Sequence, residues 1–496
     1  MPSKPPKKII EKNNKKLSLQ KNTKHMLTLV FIIAEFFLLT SLYLASYSIL
    51  IRFVIGILSL FIVGILLARI NSLQGNYGLY IYGGKAGIGI IEKLSDHKKQ
   101  FWIFLSEWGM VLSFGVLSYF LFPKRISKKA LVLGLASIIV LILLIYPYFI
   151  LALQFIYIPN LSSTLSTQAS GVSQISIVGY VLLAAVLIGG FFFFIFASLL
   201  IGAWQVISGV FSVAASIAAS SPNYTPLSTA TPALVPAIPG ITLPLFAGVL
   251  SLAVILIVHE FSHGILSRVY KVKIKKVGLV LFGVLPLGAF VEPDEKHLSK
   301  IEKYKQNNMF IAGISANFLF TFIFFILTLI FFTYITPNIS TTSLQISSVN
   351  VGSPSYNVIT PGSIIEQWNG VTVKNISSLE SVASADKPFS KVVVTTNSST
   401  YSLTANSSGK IGVFITSITA IKSGLYYSIA LFIFQFLTLS LILNFLIAVV
   451  NLLPFPGFDG WRIYKNLIKN PKTLTLFSII TVIIFIILFI PWFFIL

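Results

Sequence analysis

The chain repeats long runs of apolar residues, and each run is long enough to cross a lipid bilayer. A helix needs about 20 consecutive apolar residues to span the hydrocarbon core. Inside lipid the backbone must satisfy its own hydrogen bonds, and runs of this length do so as helices. We therefore predict a polytopic α-helical membrane protein with about 8–10 transmembrane helices. The runs lie near residues 26–47, 48–70, 101–122, 130–155, 175–200, 243–266, 308–335, 424–450 and 474–496, and 175–217 forms either one long helix or a hairpin.

Charge is scarce in this chain, and most of it is basic. Charged residues make up 10% of the sequence, and 36 Lys and Arg against 14 Asp and Glu give a net charge of +22. The basic residues cluster beside the apolar runs, as they do where cytoplasmic loops meet anionic lipid. We therefore expect the lipid bilayer, and no nucleic acid, as the partner of this charge. The chain has no cysteine, which excludes disulfides and thiolate metal ligands.

Residues 337–419 differ from the rest of the chain because they are polar and rich in Ser, Thr, Asn and Val. Runs such as Lys391–Thr396 alternate with turn signals such as Asn369-Gly370, which is typical of strands. We predict a small β-rich domain inserted between two spans. Few lysines and four Asn-x-Ser sequons favour the extracytoplasmic side. The sequons begin at Asn338, Asn375, Asn397 and Asn406.

The orientation of the C-terminal spans follows from that domain. If it lies outside, the run before it leads outward, and the runs 243–266 and 424–450 both lead inward. The C-terminal ends of these two runs therefore reach the same depth, nearer the cytoplasm. The basic start of the chain, Lys4–Lys24, is expected in the cytoplasm, and the protein in a plasma membrane as a multi-pass protein.

The orientation of the N-terminal spans contains a conflict. If residues 71–100 are cytoplasmic, a single crossing at 101–122 places the basic residues from Lys124 to Lys129 outside. That arrangement opposes the positive-inside rule. Either the rule fails at this loop, or one apolar run does not cross.

The run 243–266 contains the motif His259-Glu260-Phe261-Ser262-His263. Residues four apart share one face of a helix, so both imidazoles can bind one metal ion. Glu260 lies beside them, where it can take a proton from a metal-activated water. Two His and one Glu are costly to place in hydrocarbon, so their presence there indicates a functional site.

A tetrahedral zinc site with two His needs a third protein ligand. Asp459 is the best candidate, because it follows the second inward run and a loop in which two prolines and Gly457 end the helix and turn the chain. This loop is expected at the depth of His259, which lies about 10 Å from the inner end of its helix. The alternative role for Asp459 is in a turn, since Asp-Gly is a common turn pair.

These residues resemble the site-two protease family of intramembrane zinc metalloproteases. The motif HEFSH is followed, 196 residues after His263, by an N-x-x-P-x-x-x-x-D-G pattern that contains Asp459. Gly313 and Asn317 form a G-x-x-x-N element in the intervening run, and Gly288 begins a segment similar to the one between the family's first two core helices. The resemblance covers about residues 240–470.

The inserted domain resembles the PDZ domain that many members of this family carry. The similarity lies in Gly352-Ser353-Pro354, in Pro361–Ile365 and in Trp368–Val373. The alternative is a plain β-domain that packs on the membrane surface. The composition and the sequons suggest an archaeal plasma membrane.

The resemblance implies a zinc metalloendopeptidase that binds one Zn²⁺ ion and uses Glu260 as the general base. It implies single-span membrane proteins as substrates, cut in or near their transmembrane segments. The implied metal ligands are His259, His263 and Asp459. The implied substrate-binding residues are Asn317, Gly313 and Gly288. Asn317 would donate to the substrate backbone or to the oxyanion, and its alternative role is a hydrogen bond between helices.

A helical substrate must unwind before its amide reaches a metal, because helical backbone is already hydrogen-bonded. The segment Val277–Val291 is apolar but contains three glycines and a proline. We predict a re-entrant pair of strands here, whose edge holds the unwound substrate by strand addition.

Two other classes of function are alternatives to proteolysis inside the membrane. A membrane zinc protease that cuts outside the bilayer would need a later Glu ligand, and none of the later glutamates lies in a span. The other alternative is a transporter or scaffold whose histidines bind metal for transport or for structure. A transporter would show repeated broken helices in two halves, and no such repeat is evident.

The predicted parts of the chain are a basic tail (1–25), an N-terminal transmembrane region (26–240), the first half of a catalytic membrane core (241–336), the PDZ-like domain (337–419), the third core helix with the Asp459 loop (420–472) and a C-terminal transmembrane helix (473–496).

Overall fold

The structure, a computed structural model, describes residues 7–45, 47–84, 86–123, 125–153, 156, 177–228, 234–335, 340–421 and 424–492. It divides into two compact units. The first unit contains Met1–Leu327 and Gln435–Leu496, and the second contains Thr328–Phe434.

Helices dominate the described chain. In chain order, α1 to α8 are Lys7–Leu44, Ile49–Asn71, Ala86–Asp96, Lys99–Phe114, Leu117–Leu121, Lys128–Val140, Tyr146–Leu153 and Ile177–Ala218, with a π-helical turn Leu141–Ile145 joining α6 to α7. Helices α9 to α16 are Thr225–Ser228, Leu245–Val269, Glu295–Leu298, Lys303–Tyr334, Ile376–Ala383, Leu425–Val450, Asp459–Leu467 and Pro471–Phe489.

Eight helices within the described ranges are long and apolar enough to cross a membrane. This number agrees with the predicted 8–10, and the protein is a polytopic helical membrane protein with β-sheets. The eight candidate spans are Thr23–Leu42, Leu50–Asn71, Lys128–Phe149, Leu183–Ala218, Leu245–Val269, Lys303–Tyr334, Leu425–Val450 and Pro471–Phe489.

The apolar run 101–122, which was predicted to span, is not one continuous helix. Helix α4 ends at Phe114, Gly115 adopts a φ of 57°, and the five-residue helix α5 follows. The first and longer piece has 16 residues, which is less than a membrane crossing requires. This run is therefore not among the helices of span length within the described residues.

The break after α4 lies against a break in α8, which is one long helix interrupted at Gly190, where φ is 68°. A Cβ atom on Gly190 would lie 2.3 Å from backbone atoms of Ser113 and Phe114. The N–H of Val116 donates to the carbonyl of Leu187 at 2.9 Å. Glycine is therefore required at Gly190, both for its positive φ and for the close approach of the two backbones.

A four-stranded antiparallel sheet lies in the first unit, with the strand order β1-β2-β3-β4. The predicted pair of strands is present as β3 and β4, joined by a tight turn at Gly283. The two further strands come from the N-terminal region, and β2 pairs with β3 from Leu79 opposite Phe282 to Gly84 opposite Val277. The strands are Gly75–Asn76, Leu79–Gly84, Ile274–Phe282 and Leu285–Pro293.

The turn between β3 and β4 contacts the N-terminal region. The hydroxyl of Tyr80 donates to the carbonyl of Gly283 at 2.9 Å, and a Cβ on Gly283 would lie 2.8 Å from the carbonyl oxygen of Leu60 in α2. Leu60 also packs in one buried cluster with side chains from α1, α10 and β4. The N-terminal region, whose role the sequence left open, is therefore part of the same core as the HEFSH helix.

The second unit contains a six-stranded sheet with the order β10-β5-β6-β8-β9, and β7 pairs with β6. Its apolar core includes Leu344, Ile346, Trp368 and Val392, all nearly inaccessible to solvent. The predicted β-rich domain is thus built from strands on either side of helix α13. The strands β5 to β10 are Ser340–Val349, Ile364–Trp368, Val371–Thr372, Lys391–Thr396, Thr400–Thr404 and Val413–Ile421.

Three of the four sequon asparagines accept structural hydrogen bonds in this unit. The Asn375 side chain accepts from the N–H of Ser378 and caps α13. Asn397 accepts from the N–H of Ile364, and Asn406 accepts from two N–H groups in its own turn. Asparagine at these positions has a reason independent of glycosylation, so the sequons carry less weight for topology than the sequence implied. Asn338 lies outside the described residues.

Candidate metal centre

Helix α10 carries the two histidines on one face, one turn apart. Their Nε2 atoms are 3.2 Å from each other, and the ring planes are inclined by 74°. His259 is 7% exposed, in a helix of span length. The i, i+4 spacing therefore does what the sequence predicted, and brings two imidazole nitrogens to one point.

Asp459 reaches that point from the other half of the first unit. Helix α14 ends at Val450, the following residues turn, and Gly457 adopts a φ of 103° before α15 begins at Asp459. The Oδ2 atom of Asp459 lies 3.0 Å from the Nε2 of His259 and 3.0 Å from the Nε2 of His263. The aspartate side chain thus faces the imidazoles rather than serving as a turn or cap.

The loop before Asp459 is held in place by hydrogen bonds to the first turns of α15. The N–H of Gly460 donates to the carbonyl of Asn451 at 2.7 Å, and the hydroxyl of Tyr464 donates to the carbonyl of Leu452 at 2.7 Å. A Cβ on Gly460 would lie 2.4 Å from that Leu452 carbonyl oxygen. Glycine is therefore needed directly after Asp459, because any side chain at position 460 would collide with the loop that packs against α15.

The charge of the carboxylate suits a cation. Burial acts to raise the pKa of the Asp459 carboxyl, but the neighbouring imidazoles of His263 and His259 hold it below its ordinary value. Asp459 lies outside the eight candidate spans and is 8% exposed. The site thus offers an ionised oxygen beside two imidazole nitrogens.

The three donor atoms fit zinc. Ligands at the usual 2.0–2.1 Å in a tetrahedron lie about 3.3–3.4 Å from one another. The observed separations of 3.0–3.2 Å are within a few tenths of an ångström of that edge. Within the part of the chain that the structure describes, this is the one cluster of three His, Asp or Glu ligand atoms within 4.8 Å of one another. The later glutamates do not join it.

Helix α12 supports both imidazoles. The Nδ1 of His263 lies 2.7 Å from the carbonyl oxygen of Met309, and the Nδ1 of His259 lies 3.1 Å from the side-chain amide of Asn317. Gly313 lies between these two positions, and a Cβ there would be 2.6 Å from atoms of both rings. The carbonyl of Met309 had no signal in the sequence, because any residue offers a carbonyl.

Glu260 faces a cavity of about 180 Å³ beside the cluster. Its Oε2 accepts from the N–H of Val291 in β4 at 3.1 Å. Arg462, one turn after Asp459 in α15, lines the same cavity and was not singled out from the sequence. The sequence feature that could have identified Arg462 is its position three residues after Asp459, because residues at that spacing share one face of a helix.

Of the three residues predicted to bind substrate, two lie at the cluster and one lies apart. Asn317 and Gly313 contact the imidazoles of α10 as described above. Gly288 lies in β4 opposite Val280, and a Cβ there would meet nothing closer than 3.7 Å. Its position in the strand next to Glu260 is compatible with a role in substrate binding, which stays a prediction.

The fold and the site together define a class: a multi-pass membrane protein with a His-His-Asp cluster that suits a metallopeptidase. Residues 247–491, just under half of the chain, match the model of peptidase family M50, which indicates a metalloendopeptidase. The predicted relation to the site-two proteases is confirmed at this level. An uncharacterized protein of Methanocaldococcus jannaschii is 28% identical over 242 residues, which cover 47% of this chain and 61% of the relative.

Proposed function

We propose that this protein is an intramembrane zinc metalloprotease that hydrolyses peptide bonds in or near the transmembrane segments of membrane-anchored proteins. The observation that carries the proposal is the meeting of His259, His263 and Asp459 within 3.2 Å of one another, with Glu260 on the same span-length helix. His259, His263 and Asp459 would hold one Zn²⁺ ion. The family match supports the choice of metal.

The chemistry divides between the metal and Glu260. A bound zinc ion supplies Lewis acidity that lowers the pKa of a water and polarises the scissile carbonyl. The hydrogen bond from Val291 fixes Oε2 of Glu260, which leaves Oε1 to take the proton of the attacking water. The same carboxyl then delivers that proton to the leaving amine.

The sheet offers a place for an unwound substrate. Strand β4 is the edge strand beside Glu260, since β2 covers the other edge of β3. The N–H of Val291 points away from β3 towards Glu260, and backbone groups two residues apart face the same edge of a strand. We propose that substrate backbone pairs with β4 near Ala289, where Gly288 keeps the approach free of a side chain.

The location of the site follows from the proposed topology. We place the N-terminus in the cytoplasm, residues 337–419 outside as a PDZ-like domain, and the metal within the bilayer nearer the cytoplasm. The cluster of basic residues from Arg268 to Lys276, which begins in the last turn of α10, supports this orientation. The partners would be single-span membrane proteins, and the PDZ-like domain would exclude those with bulky outer domains.

Cleavage of a panel of single-span peptides by the purified full-length protein tests the proposal. Glu260→Gln should bind zinc at the wild-type stoichiometry and lose cleavage by about 10²–10⁴-fold, since it removes the general base and no ligand. His263→Ala should lose both zinc and cleavage. Glu302→Gln changes an exposed carboxylate paired with Lys305, so it serves as the matched control and should retain both. Wild-type cleavage by zinc-loaded Glu260→Gln would refute the mechanism.

A further inference from the structure

We infer that Asn317 positions the metal ligand His259, by accepting the Nδ1–H of its imidazole through the amide oxygen, and does not contact the substrate. This inference rests on the proposed function, because it concerns the metal that His259 would bind. It gives Asn317 a different role from substrate binding, the role that the family resemblance implies.

The first observation is that one face of α12 places a hydrogen-bonding group opposite each imidazole of α10. Met309, Gly313 and Asn317 are four residues apart and form one stripe on α12. Met309 lies opposite His263, and Asn317 lies opposite His259. The stripe therefore offers a hydrogen-bonding group to each imidazole, and a glycine between them where a side chain would collide with both rings.

The second observation is where the protons must lie. An imidazole that binds a metal through Nε2 carries its proton on Nδ1, and that proton needs an acceptor. For His263 the acceptor is the carbonyl of Met309, 2.7 Å away. For His259 the described neighbour of Nδ1 is the Asn317 amide, 3.1 Å away.

The amide orientation follows from this requirement. With Nδ2 towards the ring, Asn317 would donate to Nδ1 and the proton of His259 would be on Nε2, the atom that lies 3.0 Å from Asp459. In that tautomer Nε2 has no free lone pair with which to bind a metal. Oδ1 meanwhile is buried with no partner among the described residues. The two amide atoms differ only by a rotation, and the rotamer with Oδ1 on Nδ1 frees Nε2 as a ligand.

The third observation separates Asn317 from the substrate. Asn317 is 0% exposed, beneath His259. The cavity beside Glu260 is lined by His263, Val291, Arg462 and others, but not by Asn317. A donor to substrate or oxyanion would have to reach that cavity, so burial favours the role of positioning residue.

Two substitutions at Asn317 distinguish an acceptor from a donor. Asn317→Asp keeps an oxygen acceptor of the same shape, so we expect zinc affinity within a few-fold of wild type. Asn317→Ala removes the acceptor, and we expect affinity about 10–100-fold weaker, the usual effect of losing a hydrogen-bond partner of a metal-bound His. Asn444→Ala is the matched control, because Asn444 is a fully buried amide that donates to Ser440 in its own helix. Its zinc affinity should match wild type.

The measurement is competition for Zn²⁺ against a chelator of known affinity, in the full-length protein. The visible spectrum of the Co²⁺-loaded form is the second readout, and it should change in Asn317→Ala but not in Asn317→Asp. If both variants bind Zn²⁺ as wild type does and both lose peptide cleavage, the amide acts as a donor and the inference is wrong. If wild-type protein binds no Zn²⁺, the proposed function itself fails.

Discussion

Replacement of Gly313 by alanine is the sharpest test of how closely α12 must approach the two imidazoles of the candidate metal cluster. The added Cβ would lie 2.6 Å from Cε1 and Nε2 of His259 and from Nε2 of His263. Ordinary van der Waals contact begins at about 3.4 Å, so each ring would have to move by nearly an ångström or α12 would have to retreat.

The expected magnitude follows from this overlap. Overpacking of a filled interior costs about 1–3 kcal/mol. If the rings relieve the overlap by leaving their ligand positions, the cost appears as roughly 5–150-fold weaker zinc binding, at about 1.4 kcal/mol per factor of ten. Helix propensity acts in the opposite direction, since alanine is favoured over glycine by about 1 kcal/mol in a helix interior.

The assay is a chelator competition for Zn²⁺, with a melting curve of the zinc-free protein alongside. Gly89→Ala is the matched control, because Gly89 also lies in a helix and a Cβ there would meet nothing within 4 Å. The control should bind Zn²⁺ as wild type does. Wild-type Zn²⁺ affinity in Gly313→Ala would refute the close approach of α12 to the two imidazoles.

Three further predictions concern the ligand set and the N-terminal region. Asp459→Asn keeps the shape but removes the charge of the third ligand, so metal analysis after dialysis should show at least tenfold weaker zinc retention; unchanged retention would exclude Asp459 as a ligand. Cysteines at Tyr82 and Leu279, which are direct partners across β2 and β3, should form a disulfide on oxidation in this cysteine-free chain; a non-reducing gel without the closed form would contradict the pairing. Gly190→Ala forces a side chain into a positive φ and against the backbone of α4, so it should lower the melting temperature, with about 1 kcal/mol or more of stability lost; an unchanged melting temperature would contradict the contact between the two helix breaks.

The three residues of the candidate metal cluster were predictable from the sequence because each has a local signature. The i, i+4 spacing of His259 and His263 fixes their relative positions as soon as their segment is a helix. Asp459 was predictable for a different reason: acidic residues are scarce in this chain, and a loop with prolines and glycines marks where a helix stops.

The contacts around those ligands were not accessible in the same way. Met309 and Asn317 face the imidazoles across 46 and 58 residues of sequence, and Val291 reaches Glu260 across 31. Each contact depends on how two elements pack, and backbone groups such as the Met309 carbonyl leave no trace in residue type. Asn317 was noticed only through a family element, and the role implied with it differs from the one its burial supports.

The sequence by itself determined the class of fold and the residues of the candidate metal cluster, since hydrophobic length and helical spacing are local properties. Tertiary structure decided which apolar run breaks, which strands complete the sheet and which groups hold the imidazoles. The break after α4 depends on the close approach of α8, where Gly190 lies against the backbone of Ser113 and Phe114, and β2 depends on pairing with a strand about 200 residues away. Such partners are selected by the free energy of packing and hydrogen bonding between distant segments, which no local pattern records.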